Sequence, residues 1–218
     1  MTERCNTITN NRVLVFDYGG VLSNHHQDPA EDCLAKLLGV SRDTLRLLCS
    51  EKSEHGAAFR EDRISENDFW DQVFKLANNS IENRPPNELL SRLWAETYAI
   101  NKGFLEVLHK FRKSLPIGIL TNIDRARSNY LLDVVGILNM IDIYLPSYQF
   151  MAIKPKAELW MKATVKIHET LGRNVQIIYV DDREGHVKAC RSFGWEGVWY
   201  QNVEKLQVDL KNQYLIES

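Results

Sequence analysis

The sequence predicts a doubly wound α/β fold: a parallel-sheet core flanked by helices, with a helical module inserted after the first strand. Three observations predict it. Five short apolar runs recur along the 218 residues. They are apolar on successive residues rather than alternating, as strands covered on both faces are. Helical periodicity fills the intervals between the last four runs, and roughly 90 residues separate the first run from the second, far more than one crossover helix needs.

Taken in order, "RVLVFD" (12–17) is the first strand. Next, "DPAEDCLAKLLG" predicts a helix with Asp28 as N-cap, Pro29 in the first turn and Gly39 at its end. Ser41 caps "SRDTLRLLC". Ser65 opens "SENDFWDQVFKLA", with Asp68 three residues later, and "PPNELLSRLWAETY" carries Leu89, Leu90, Leu93 and Trp94 at helical spacing. The other strands are "LPIGILTN" (115–122), "IDIYLPS" (141–147), "VQIIYVDD" (175–182) and "WEGVWYQ" (195–201). Helices are expected at 123–135, at 156–171 with Gly172 as its C-cap, and at 183–193, where Val187, Cys190 and Phe193 share a stripe.

Bulk properties narrow the class. Hydrophobic residues make up 44% and charged residues 26%, the profile of an ordinary globular chain. A net charge of -2 gives no general attraction to nucleic acid or anionic membrane. "MTERCNTITNNR" has no apolar leader, and no run reaches the length of a membrane span. The cysteines Cys5, Cys33, Cys49 and Cys190 form no CxxC pair. Reduced thiols in a cytoplasm are therefore expected.

The strand ends carry the chemistry. In an open parallel sheet, ligands bind at the carboxyl ends of the strands. Three of the expected strands end in polar groups: Asp17, Thr121-Asn122 and Asp181-Asp182, with Lys154 just before the helix at 156–171. Each alone reads as a turn former, a helix cap or a solvated charge. Side by side, they would bring three carboxylates, a hydroxyl and a lysine into one crevice. Clustered carboxylates repel unless a cation joins them, and oxygen-only ligation suits Mg²⁺ sharing its shell with a phosphate. That combination fits phosphoryl transfer to an aspartate nucleophile.

"VFDYGGVL", "ILTN", "KPKAELW" and "IIYVDD", in this order, resemble the four motifs of the haloacid dehalogenase-like (HAD) hydrolase superfamily over residues 12 to 202. The resemblance implies a HAD-like, Rossmannoid core over 1–22 and 100–218 and a helical C1-type cap over 23–99. "AFREDRISENDFW" (58–70) resembles a cap segment of the branch holding sugar-1-phosphate phosphatases and the N-terminal phosphatase domain of soluble epoxide hydrolases. It implies Asp17 as nucleophile, Thr121 and the Asn122 amide as phosphoryl ligands, and Lys154 as the neutralising cation. Mg²⁺ would sit between Asp17, the Gly19 carbonyl, Asp181 and Asp182. The implied substrate is a small phosphorylated molecule chosen by the cap, with Phe59, Arg60, Arg63, Trp70 and Trp94 as candidates for its entrance.

The sequence departs from the pattern at Lys156, where many relatives have Asp, at Met151, near a usual Gly, and at His186, a place often filled by Asn. The largest departure is Gly19. Phosphatases of this superfamily commonly carry Asp there as general acid and then base, a contribution of about 10²- to 10⁴-fold. Three readings follow: a phosphatase whose substrate leaves without acid help, a phosphatase using His25 or His26 instead, or a weakly active binding protein. A dehalogenase is the competing enzyme class; those relatives use the same aspartate on carbon and need no metal.

Overall fold

A computed structural model describes residues 11–23, 29–78, 84–214 and 216. Five strands form one sheet: β1 (Arg12–Phe16), β2 (Ile117–Thr121), β3 (Ile143–Pro146), β4 (Gln176–Asp181) and β5 (Glu196–Trp199). Their order is β3-β2-β1-β4-β5 and every pairing is parallel, with Leu14 opposite Ile117 on one side and Ile178 on the other. β1 and β2 are central and buried along almost their whole length, which is why their sequences are unbroken apolar runs.

Helices cover both faces. α6 (Lys102–Arg112), α7 (Arg125–Asp133) and α11 (Val203–Tyr214) enclose one core with Leu14, Phe16, Ile119 and Val180. α9 (Ala157–Leu171) and α10 (Glu184–Arg191) enclose the other with Val13, Val15, Tyr179 and Trp195. The strand order places β1 and β4 next to each other at the point where the winding reverses, so the residues that follow them face one crevice.

Among the described residues, five α-helices lie between β1 and α6: α1 (Pro29–Leu37), α2 (Arg42–Leu48), α3 (Glu54–Arg60), α4 (Glu66–Leu76) and α5 (Asn87–Glu96). They bury a third cluster drawn only from their own segment, with Phe59 stacked on Phe69 at 4.2 Å and Trp70 edge-on to Trp94. The expected caps form at Ser41 and Ser65, the latter a full capping box with Asp68. α3, which has Gly56 near its start and no long apolar stripe, was not separable in the sequence. The expected Asp28 cap lies outside the described residues.

Polar contacts join this helical segment to the sheet layer. Arg125 pairs with Asp62 at 2.5 Å, the Ser147 hydroxyl donates to the Arg60 carbonyl at 2.8 Å, and Trp94 Nε1 donates to Asp124 at 2.9 Å. Lys156 pairs with the buried Glu61, which gives the lysine at that position a partner in the helical segment. Asp124, not Thr121 or Asn122, caps α7; Thr121, the last residue of β2, and Asn122 after it line the crevice instead. Met151, closing the short helix α8 (Ser147–Phe150), has φ +53°, the left-handed region that favours glycine.

Candidate active site

The crevice begins where β1 ends. Asp17 follows Phe16 directly, and its Oδ1 accepts the Tyr18 N–H at 2.7 Å. The chain then turns tightly over Tyr18–Leu22, and the Ser23 N–H donates back to the Tyr18 carbonyl at 2.9 Å. Gly20, at φ +74°, supplies the left-handed step of that turn. Gly19 has φ −66° and ψ 124°, an ordinary extended conformation open to any residue, so its backbone alone does not require glycine.

Lys154 binds the site together. Its side chain is 1% exposed, and its Nζ lies 2.8 Å from Asp17 Oδ1 and 3.1 Å from Asp181 Oδ2. The same ammonium donates to the Tyr179 hydroxyl at 2.7 Å and to the Leu120 carbonyl at 3.3 Å. Asp181 also accepts from the Tyr179 hydroxyl at 2.5 Å and from the Arg183 N–H at 2.8 Å, and it lies 3.0 Å from His186 Nδ1. Asn122 fixes the lysine's backbone: its Oδ1 accepts the Lys154 N–H at 2.8 Å and its Nδ2 donates to the Lys154 carbonyl at 3.1 Å.

These contacts set the charges. Burial pushes the Asp17 carboxyl up to about 7, against the pull of Lys154, and the nearby Asp181 adds to the rise. Burial also acts on Asp181, but Lys154 and the hydrogen bonds from His186 and Tyr179 outweigh it and hold that carboxyl well below the usual range. Asp182 is raised by burial and by Asp181. Burial opposes the charge of Lys154, yet its two carboxylates keep it charged.

Asp17, Gly19, Thr121, Asn122 and Lys154 all line a pocket of about 40 Å³. Among the described residues the buried Thr121 hydroxyl makes no well-formed hydrogen bond, and the Tyr98 side chain is the group that interacts with it. Ligand atoms of Asp17, Asp181 and His186 come within 4.8 Å of one another, close enough to share a cation. Asp182 is half-buried beside them, with Oδ1 buried and, among the described residues, unpartnered. His25 and His26 lie outside the described residues.

Glu51, Tyr98, Arg183 and His186 also line this pocket. Glu51 enters from the loop between α2 and α3; it accepts from Asn122 Nδ2 at 2.9 Å and pairs with Arg183. Burial would raise Glu51, but Arg183, Arg60 and Asn122 together keep it ionised. The sequence pointed to neither Glu51 nor Tyr98, since each belongs to a distant segment and has no motif of its own. Arg183 had one signal, its place directly after the acidic pair.

Glu51, Tyr98, Asn122 and Arg183 line a second, larger cavity of about 290 Å³ as well, so the two spaces adjoin. Of the residues expected at the entrance, Arg60 and Trp94 line this cavity. Phe59 and Trp70 are instead buried in the helical core, and Arg63 pairs with Glu61 at 2.7 Å.

No family model matches the chain. A protein of Schizosaccharomyces pombe, described as a candidate, uncharacterized hydrolase, is 29% identical over 158 residues; the match covers 67% of this chain and 66% of that protein. A HAD family enzyme of Bacteroides thetaiotaomicron, solved with magnesium and inorganic phosphate, superposes with a TM-score of 0.67 at 15% identity, covering 87% of this chain and 94% of the other. L-2-haloacid dehalogenase of Xanthobacter autotrophicus, with chloropropionic acid covalently bound, gives 0.64 at 14% identity over 95% and 84%. The fold of this chain is therefore that of the HAD hydrolases.

Proposed function

We propose that this chain is a HAD-type hydrolase: a magnesium-dependent phosphatase of a small phosphate monoester, working through an aspartyl-phosphate on Asp17. The observation that carries the reading is the cluster of Asp17 and Asp181, at the ends of β1 and β4, with Lys154 between them, beside a pocket lined by the buried Thr121 hydroxyl.

The residues fit a divalent cation. Asp17 and Asp181 present oxygens within 4.8 Å, and Asp182 keeps a buried carboxylate oxygen without a partner among the described residues. Asp17, Asp181, Asp182 and the Gly19 carbonyl would supply the oxygen-rich shell that Mg²⁺ prefers, with His186 orienting Asp181. Bound there, the cation supplies charge neutralisation for carboxylate and phosphate together.

The chain's own groups do the rest. Among the described residues no hydrogen bond occupies Asp17 Oδ2, which leaves it to attack phosphorus while Oδ1 is held by Lys154 and the Tyr18 N–H. The Thr121 hydroxyl and the Lys154 ammonium take the phosphoryl oxygens, whose charge grows as the bond to the leaving oxygen breaks. Water then attacks the acyl phosphate and frees phosphate and Asp17. Gly19 has no proton to give, so the first step favours leaving groups that depart as anions.

A second reading, carbon–halogen hydrolysis by the same aspartate, draws on the dehalogenase fold likeness and on the absent acid at position 19. One experiment separates them. Phosphate release from an aryl phosphate should require Mg²⁺, stop in EDTA, and fall by about 10³-fold or more in Asp17→Asn. Chloride release from a 2-haloacid, undiminished by EDTA, would overturn the phosphatase reading.

A further inference from the structure

We propose that the cavity of about 290 Å³ is a subsite for a second anionic group of the substrate, a carboxylate or a further phosphate, received by Arg60 and Arg127. This rests on the phosphatase reading of the adjoining pocket.

Four arginines line the cavity, and they differ in how their charge is met. Arg46 is held by Glu31 at 2.6 Å, and Arg183 pairs with Glu51. Arg60 and Arg127 are buried, and neither forms an ion pair with a carboxylate among the described residues. Arg60 donates to the Gly56 and Cys49 carbonyls at 2.9 and 3.0 Å. Arg127 donates to the Trp94 carbonyl at 3.1 Å and the Thr97 hydroxyl at 2.7 Å. The nearby Asp124 already accepts from Trp94 Nε1 and from the Arg127 N–H.

Both guanidiniums lie against one indole. The Arg127 carbon is 3.2 Å from the Trp94 ring centre and the Arg60 carbon 5.9 Å. Burial brings the Arg127 guanidinium down to about 10; Asp124 and Tyr98 pull the other way without outweighing it, and the Arg60 charge adds to the fall. Backbone carbonyls satisfy donors but supply no net negative charge, and the carboxylates that act on the pair, Glu51 on Arg60 and Asp124 on Arg127, are directly engaged elsewhere, with Arg183 and Asn122 and with Trp94. An oxyanion entering this space would meet two charged planar donors in a dry setting, where such bonds are strongest. A volume of about 290 Å³ holds several non-hydrogen atoms, so a substrate can place its ester over Asp17 and its second anion here.

The test uses non-hydrolysable alkylphosphonates of matched chain length ending in a carboxylate, a second phosphonate or a methyl group. Calorimetry with Mg²⁺ measures their affinity for the wild-type chain, Arg60→Gln and Arg127→Gln, after thermal melts establish folding. One anionic end should bind about tenfold or more tightly than the methyl end, and the preferred one identifies the group. Arg60→Gln should shrink that preference to about threefold or less. Equal binding of charged and neutral ends by the wild type, binding of none of them, or a preference untouched in the folded variants would overturn the subsite. Aryl phosphate hydrolysis by the wild type needs no second anion. Its loss alone would overturn the phosphatase reading, not the affinity pattern.

Discussion

The Lys154 ammonium lies 2.8 Å from Asp17 Oδ1, with both side chains withdrawn from solvent. Because the same nitrogen reaches Asp181 at 3.1 Å, one positive charge serves two buried carboxylates. Removing it leaves two like charges in a low-dielectric site. Lys154→Met should therefore lower unfolding free energy by about 3–5 kcal/mol in metal-free urea titrations. Added Mg²⁺ should recover more stability in this variant than in the wild type, since the cation replaces the lost charge. An unchanged urea midpoint would contradict the pairing.

Gly19 sits in extended backbone, so Asp is conformationally admissible there. Gly19→Asp should raise turnover of alkyl phosphates relative to aryl phosphates by about tenfold or more, because only poor leaving groups need the added acid. Steady-state kinetics on the two ester types checks it. An equal fall on both would mean that the turn over Tyr18–Leu22 cannot hold a side chain at this position.

Met151 holds a left-handed φ of +53° on an exposed residue. Met151→Gly should relieve that conformation and raise stability by about 1 kcal/mol, offset in part by the flexibility of glycine in the unfolded chain. Chemical denaturation measures the change, and a loss of stability would show that the Met151 side chain contributes packing.

Burial pushes the Cys49 and Cys190 thiols up to about 12, from an ordinary value of 9.0. The folded state therefore keeps both protons where the unfolded chain releases them, and these two groups contribute stability that is lost as pH rises from about 9 toward 12. Below pH 9 less than about 0.1% of either is thiolate. A disulfide reagent should modify the exposed Cys33 quickly and reach Cys49 and Cys190 only after denaturant is added. Rapid native-state labelling of either buried thiol, located by peptide mapping, would contradict this.

The sequence by itself determined the sheet and the elements around it. Unbroken apolar runs such as Val13–Phe16, short and bounded by polar residues, suit strands covered on both faces, and the polar residues ending them, Asp17, Thr121-Asn122 and Asp181-Asp182, pointed to one edge because side chains leaving neighbouring parallel strands there converge. Lys154, which ends no strand, was legible only through the motif around it, just before the helix at 156–171. Tertiary structure alone decided the rest. Glu51 and Tyr98 reach the pocket from the helical segment, and Arg127 reaches the outer cavity from α7, through contacts between residues tens of positions apart. Such contacts leave no periodicity and no motif. The same holds for Phe59 and Trp70. Their aromatic character suited both a pocket wall and a core, and only the packing of α3 against α4 put them inside.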